Sequence, residues 1–154
     1  MLARRRAPSS RRCSRADPEA LGEPAIALRD KLTRRAQPLL EPGEEIQQIF
    51  LVKEGPRPGV GFVHGLDPLF TTYEVVVATD QALVIMRASM WQSGTPKKVL
   101  RRLPRRLQIR YEPRALWSQT SLPGDSPTWV HRRFYGDVEA ANAAWAEQPP
   151  AAST

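Results

Sequence analysis

The sequence YEVVVATDQALVIMR, residues 73–87, holds two apolar runs on either side of a short polar segment. The runs at 73–78 and 82–87 are rich in Val, Ile and Leu, and such residues favour β-strands. Between them, Asp80 can accept a hydrogen bond from its own backbone and so stabilise a tight turn. This stretch therefore predicts an antiparallel hairpin at the centre of the chain.

Short apolar segments continue on both sides of this hairpin. Further candidate strands lie at residues 46–52, 99–103, 107–111, 116–118 and 128–131. Residues 53–71 hold four Gly and three Pro, which is typical of a long loop. The segments at 99–103 and 107–111 are separated by three residues and predict a second hairpin. We expect Trp117 and Trp129, in the last two strands, to pack in the core.

Helical spacing of apolar residues predicts one helix before the strands and one after them. The first spans residues 17–38, where Asp17 can cap the start and Pro38 limits the end; Glu23-Pro24 offers a second possible start. Its apolar stripe consists of Leu21, Ala25, Leu28, Leu32, Ala36 and Leu39. The last helix ends before Pro149 and carries the stripe Phe134, Val138, Ala141 and Trp145. We expect both stripes to pack on the strands.

The two ends of the chain differ in composition from the rest. Residues 1–16 hold six Arg, no acid and no apolar cluster, so we predict a disordered basic arm. A binding arm, a loose tail and a start-site artefact all stay open for this stretch. Residues 149–154 are predicted to be a loose tail. The predicted organisation is thus an arm at 1–16, a helix at 17–38, one domain at 39–148 and the tail.

Charge is unevenly distributed along the 154 residues. The formal net charge is +7, and six of these charges belong to the predicted arm. The second basic block is residues 97–114, which hold eight basic side chains and one acid. The remaining segments are mildly acidic, so the overall charge is weak support for nucleic-acid binding.

Several classes of protein are excluded by composition. No apolar run approaches the ~18–20 residues that cross a bilayer, so we predict no transmembrane segment. Cys13 is the single cysteine, which excludes an internal disulfide framework and a cysteine-built zinc site. We expect the protein in the cytoplasm, with peripheral attachment to the membrane as an alternative.

Candidate catalytic residues are few. The two histidines are His64, in the predicted loop, and His131, beside Arg132 and Arg133 at a strand end. His64 has no second His or Cys close in the sequence, whereas metal sites need three or four ligands. No nucleotide-binding glycine motif or nucleophile elbow is present. We therefore predict that the protein is not an enzyme and uses no metal or cofactor.

Four stretches resemble a known family: LLEPGE at residues 39–44, VVVATDQALV at 75–84, VLRRLP at 99–104 and WVHRRF at 129–134. With the order of strands followed by one helix, they resemble the pleckstrin-homology-like (PH-like) proteins of high-GC bacteria over residues 39–148. The resemblance implies an α+β fold, in which a seven-stranded antiparallel barrel or bent sandwich is capped by a C-terminal helix. Here the fold would carry an extra N-terminal helix.

The resemblance also implies a binding role, since PH-like domains bind phosphoinositides, peptides or partner domains. Members that bind inositol phosphates carry a basic motif around the first hairpin, where this chain offers Lys53 and Arg57 near Glu54 and Asp67. The densest basic block is instead residues 97–114, whose charged and apolar side chains interleave. The candidate anion- or partner-binding residues are Lys97, Lys98, Arg101, Arg102, Arg105, Arg106, Arg110 and Arg114.

We therefore predict a non-enzymatic adaptor that contacts a partner protein or an anionic membrane surface through this basic face. The alternative is a small-barrel nucleic-acid-binding protein that uses the same face and the N-terminal Arg arm. A solvated edge, protected by its charges from pairing with another strand, also stays open.

Overall fold

A computed structural model describes residues 23–59, 72–89, 94–113 and 116–147. In these residues the fold is α+β, with one six-stranded antiparallel sheet and two α-helices. The elements are α1 (Glu23–Ala36), β1 (Ile46–Glu54), β2 (Thr72–Thr79), β3 (Ala82–Ser89), β4 (Thr95–Pro104), β5 (Trp117–Gln119), β6 (Thr128–His131) and α2 (Tyr135–Ala146). The predicted arm at 1–16, the tail at 149–154 and most of the loop at 53–71 lie outside the described residues.

The strands are arranged in the order β4-β3-β2-β1-β6-β5, and neighbours are antiparallel. The predicted central hairpin is confirmed as β2 and β3, with Val75 opposite Met86 and Ala78 opposite Leu83. Its turn is capped by Thr79, whose Oγ1 accepts hydrogen bonds from the backbone N–H groups of Gln81 and Ala82 at 3.2 and 3.0 Å.

Asp80 also joins this turn to the segment before β1. Its Oδ1 accepts a hydrogen bond from the backbone N–H of Glu45 at 3.0 Å, and its own backbone N–H donates to the backbone oxygen of Glu45 at 3.1 Å.

Both faces of the central strands are covered, which explains their unbroken apolar runs. On one face Val75 and Val77 belong to a buried cluster with Leu32 of α1. On the other face Val76 and Ala78 belong to a second buried cluster with Val138 of α2. The two predicted helical stripes therefore pack on opposite faces of one sheet.

The second predicted hairpin is wrong in its later half. Residues 107–110 form no strand, and the backbone N–H and C=O of Ile109 bind the side-chain amide of Asn142 at 3.0 and 2.9 Å. A single bridge joins Tyr111 to Thr120. An amide on α2 thus satisfies the backbone that a strand partner would have satisfied. Seven strands and closure into a barrel are not confirmed in the described residues.

The helix predictions agree with the structure where it describes them. α1 ends at Ala36, followed by a 3-10 turn over Gln37–Leu39 that contains Pro38. The predicted start at Asp17 lies outside the described residues. Neither of the two described α-helices is long and apolar enough to cross a bilayer.

Candidate anion-binding groove

The eight basic residues predicted to share one surface are divided by the structure into different roles. Arg101 donates from Nη2 to Glu74 Oε2 at 3.0 Å. Arg102 is paired with Glu44 and, at 3.5 Å, with Glu41. These two arginines neutralise acids of their own fold, so they are poor candidates for contacting a partner.

The prediction that Arg105 lies on the exposed basic face is wrong, because this residue is only 4% exposed. Its Nε donates to the backbone oxygen of Thr79 at 2.6 Å. Its Nη2 donates to Gln47 Oε1 and to the backbone oxygen of Ala141, each at 2.8 Å. Burial lowers the pKa of the guanidinium below its ordinary value. The side chain ties the end of β2 to β1 and α2.

Five of the predicted residues are exposed, and besides the paired Arg102 they lie at two separate places. Lys97 and Lys98 lie near the start of β4, and Arg106 and Arg110 follow its end. Because a strand rises about 3.3 Å per residue, roughly 20 Å separate the two pairs. None of the four forms an ion pair within the described part of the chain. Arg114 lies outside the described residues.

Arg110 lies at the junction of two adjoining surface cavities of about 640 and 520 Å³. Both cavities are lined by Arg110 and Ser121. The larger one adds Arg57, and the smaller one adds Arg106. We call this continuous surface the arginine groove; its further lining includes Tyr111, Glu112, Trp117, Trp129 and Gln108. The three arginines are exposed, and Glu112 is the one acid among these lining residues.

Hydrogen bonds made by Ser121 and Trp129 hold the segments that line the groove. Ser121 donates its N–H to the backbone oxygen of Arg110, and its Oγ accepts from the N–H of Arg110, both at 2.9 Å. Trp129 donates from its indole to the backbone oxygen of Gly55 at 2.9 Å. These bonds bring the segment after β1, which carries Arg57, next to the segment that carries Arg110.

Aromatic rings form part of the groove and take no acid–base role there. Trp117 stands edge-on to His131, with ring centroids 4.9 Å apart. The phenol of Tyr111 donates to Glu139 at 2.7 Å, and burial together with this carboxylate raises the pKa of Tyr111 to about 12. The phenol is therefore protonated at neutral pH, and the arginines are the charged groups free to meet a ligand.

Sequence reasoning missed Arg57, Trp117 and Trp129 as members of this site. The two tryptophans were expected in the core, and both are partly exposed in the groove. The sequence places Arg57 only in the sparse basic motif around the first hairpin, together with Lys53. Alternation in residues 128–131 was the available signal, since Trp129 falls between two buried residues, Thr128 and Val130.

Metal and nucleophile chemistry find no support in the described residues. No group of three or more His, Cys, Asp or Glu is placed there to hold a metal ion. His131 is a strand end, as predicted, and its Nδ1 accepts the N–H of Arg133 at 3.2 Å. Burial first, and then Arg133 and Arg132, lower the pKa of His131. His64 and Cys13 lie outside the described residues.

No family model matches the chain, and searches of curated proteins and of solved structures found no significant match. The PH-like resemblance therefore stays a prediction. Any function must be inferred from the groove's own chemistry.

Proposed function

We propose that the protein is a non-enzymatic PH-like binding module that holds an acidic segment of a partner protein in the arginine groove. The carrying observation is that three exposed arginines, Arg57, Arg106 and Arg110, line two surface cavities that share Arg110 and Ser121. The PH-like part rests on the order of an antiparallel sheet followed by one packed helix. A seven-stranded bent sandwich would need residues 107–111 to join β5, and the Tyr111–Thr120 bridge would be the first step of that pairing.

The chemistry of the groove favours a peptide carboxylate as the anion. A guanidinium binds a carboxylate through two parallel hydrogen bonds, which gives direction as well as charge. Trp117, Trp129 and Tyr111 supply apolar faces beside these cations. Arg, Trp and Tyr are the residues that most often dominate the binding energy of protein interfaces.

The placement of the unpaired cations favours a peptide segment over a membrane surface as the ligand. A flat anionic bilayer would be met best by many cations on one plane, at about 1 kcal/mol for each Lys or Arg near the surface. Here Arg101, Arg102 and Arg105 are already bound to groups of their own domain. The predicted row of eight is thus interrupted in its middle, and a segment lying in the groove fits the remaining cations better.

Two matched double variants test the proposal. The probe is a fluorescent 12-residue peptide rich in Asp and Glu with one Trp, and its Kd is measured by anisotropy. Arg106→Gln with Arg110→Gln should weaken binding by about tenfold or more, because two charge-assisted contacts are lost. Lys97→Gln with Lys98→Gln removes the same charge at the far end of β4 and should change the Kd less than about twofold.

Equal losses in the two double variants would show a general charge effect and reject the groove. Flotation with vesicles containing anionic phosphatidylserine is run beside the peptide titration. Vesicle binding that is strong in the wild type and lost in the Lys97/Lys98 variant would favour the membrane surface instead.

One observation favours a second candidate, a single-stranded nucleic acid. Aromatic rings and arginines line the same groove, which is the composition on which bases stack while cations follow the phosphates. In that case a 20-nucleotide oligo-dT would bind more tightly than the acidic peptide, with affinity falling steeply as salt rises. Weak oligo-dT binding with no loss in the Arg106/Arg110 variant would remove this candidate.

A further inference from the structure

The sheet divides where β6 leaves β1. The two strands pair from Glu54 opposite Thr128 to Val52 opposite Val130, and the pairing stops there. β1 continues beside β2, whereas β6 ends at His131 and turns into the 3-10 helix Arg132–Phe134. A cavity of about 210 Å³ lies at this fork, and we call it the fork cavity. It is lined by Leu51, Val52, Tyr73, Trp117, His131, Arg133 and Phe134.

The walls of the fork cavity are mainly apolar and are held by the core. Val52 and Phe134 are 1% and 5% exposed and belong to the cluster under α2. Trp117 lies edge-on to His131, with an angle of 82° between the rings. Because Val52 and Phe134 are packed into the core, these two residues form a fixed wall of the cavity.

The polar groups of the fork cavity favour an anion. The Arg133 guanidinium carbon lies 4.6 Å from the centroid of the Phe134 ring, and this exposed side chain has no ion pair in the described part of the chain. His131 uses Nδ1 to accept the N–H of Arg133, so the neutral ring carries its proton on Nε2 and can donate it. None of the lining residues is an acid.

We propose that the fork cavity binds a small aromatic carboxylate, with its ring between Leu51, Tyr73 and Trp117 and its carboxylate at Arg133 and His131. A dry cavity of about 150 Å³ is enough to hold benzene, so one of about 210 Å³ has room for a ring and a carboxylate. This site is separate in chemistry from the arginine groove. Trp117 borders both, but Arg133 lines the fork cavity and not the groove.

Benzoate and its uncharged analogue benzyl alcohol are the probes for this site. In a titration followed by methyl NMR, benzoate should shift the Leu51 methyl signals to saturation. The methyls of Leu32, a buried residue of α1 that does not line the fork cavity, should not move. Benzoate should bind about five- to tenfold more tightly than benzyl alcohol, because only benzoate pairs with the guanidinium.

Neighbouring arginines supply the matched control. Arg133→Gln should weaken benzoate binding by about five- to tenfold and leave benzyl alcohol within about twofold. Arg132→Gln removes the same charge from an exposed residue that does not line the fork cavity and should change neither. Circular dichroism confirms that both variants stay folded.

The proposal is overturned if benzoate gives no saturable shift at Leu51. It is also overturned if the two arginine variants weaken benzoate equally, or if benzyl alcohol binds as tightly as benzoate. The Arg106/Arg110 double variant should bind benzoate normally. The proposal for the fork cavity and the proposal for the groove can therefore be rejected independently of each other.

Discussion

Arg105 places its guanidinium inside the protein, whereas the next residue, Arg106, leaves its side chain in solvent. Arg105→Ala should lower the free energy of unfolding by about 3 kcal/mol, because a buried oxygen of Thr79 and one of Ala141 lose a charged donor. Arg106→Ala should change it by less than about 0.5 kcal/mol. Urea unfolding of the two variants measures both values, and equal destabilisation would contradict the placement of Arg105.

Glu74 makes the free energy of unfolding fall as the pH rises, which is the opposite of the usual effect of an acidic side chain. The carboxyl group is 1% exposed, and burial raises its pKa to about 7 against the opposing effect of Arg101. Since the folded state holds this proton more tightly than the unfolded state, Glu74 stabilises the fold below pH 4.5. That contribution is lost as the pH rises from 4.5 to about 7.

The variant Glu74→Gln isolates this effect, because glutamine does not titrate. The free energy of unfolding of the wild type, relative to the variant, should fall by about 2–3 kcal/mol between pH 5 and pH 8. Urea midpoints at pH 5, 6, 7 and 8 measure it. The exposed Glu45 provides the control for the loss of one carboxylate, and Glu45→Gln should keep the slope that Glu74 gives the wild type. A rise in relative stability over this range would contradict the raised pKa.

At the level of elements, the sequence predicted those features of the fold that depend on the periodicity of apolar side chains. The β2–β3 hairpin and the packed stripes of both helices follow from spacing alone. The groove did not follow from spacing, because it depends on which arginines find partners far away in the chain. Arg102 meets Glu44, 58 residues earlier, and Arg105 meets Gln47 at the same separation. Local patterns could not show that these two arginines are already bound within the chain.

The conformation of residues 107–110, after β4, also depends on a partner far away in the chain. That partner is Asn142, and its substitution tests this dependence. Its amide replaces a strand partner for Ile109, so Asn142→Ala should release this backbone. We expect amide hydrogen exchange at Ile109 to accelerate by about tenfold or more, which corresponds to the loss of roughly 1.4 kcal/mol of local protection. The amide of Val76, in the centre of the sheet, is the internal control. Unchanged exchange at Ile109 would mean that another contact holds the segment.

At the scale of the whole molecule, most of the net charge of +7 belongs to the N-terminal segment, residues 1–16, and little of it to the rest of the chain. Six of these charges lie in residues 1–16, and the remaining residues hold 17 basic and 16 acidic side chains. Within that nearly neutral part, the structure pairs Arg29, Arg101 and Arg102 with acids. The exposed cations of the groove are therefore a local feature, which gives direction to binding without a strong overall field.

A chain lacking residues 1–16 separates these two contributions. Removal of six arginines should lower the salt concentration at which the protein elutes from heparin, because fewer counterions are displaced on binding. The same deletion should change the Kd for the acidic peptide by less than about threefold at 0.15 M salt, since Arg57, Arg106 and Arg110 of the groove stay in place and salt screens the loss of remote charge. The free energy of unfolding should stay within about 0.5 kcal/mol. Unchanged heparin elution would show that the folded domain itself carries the polyanion site, and the nucleic-acid candidate would then replace the peptide.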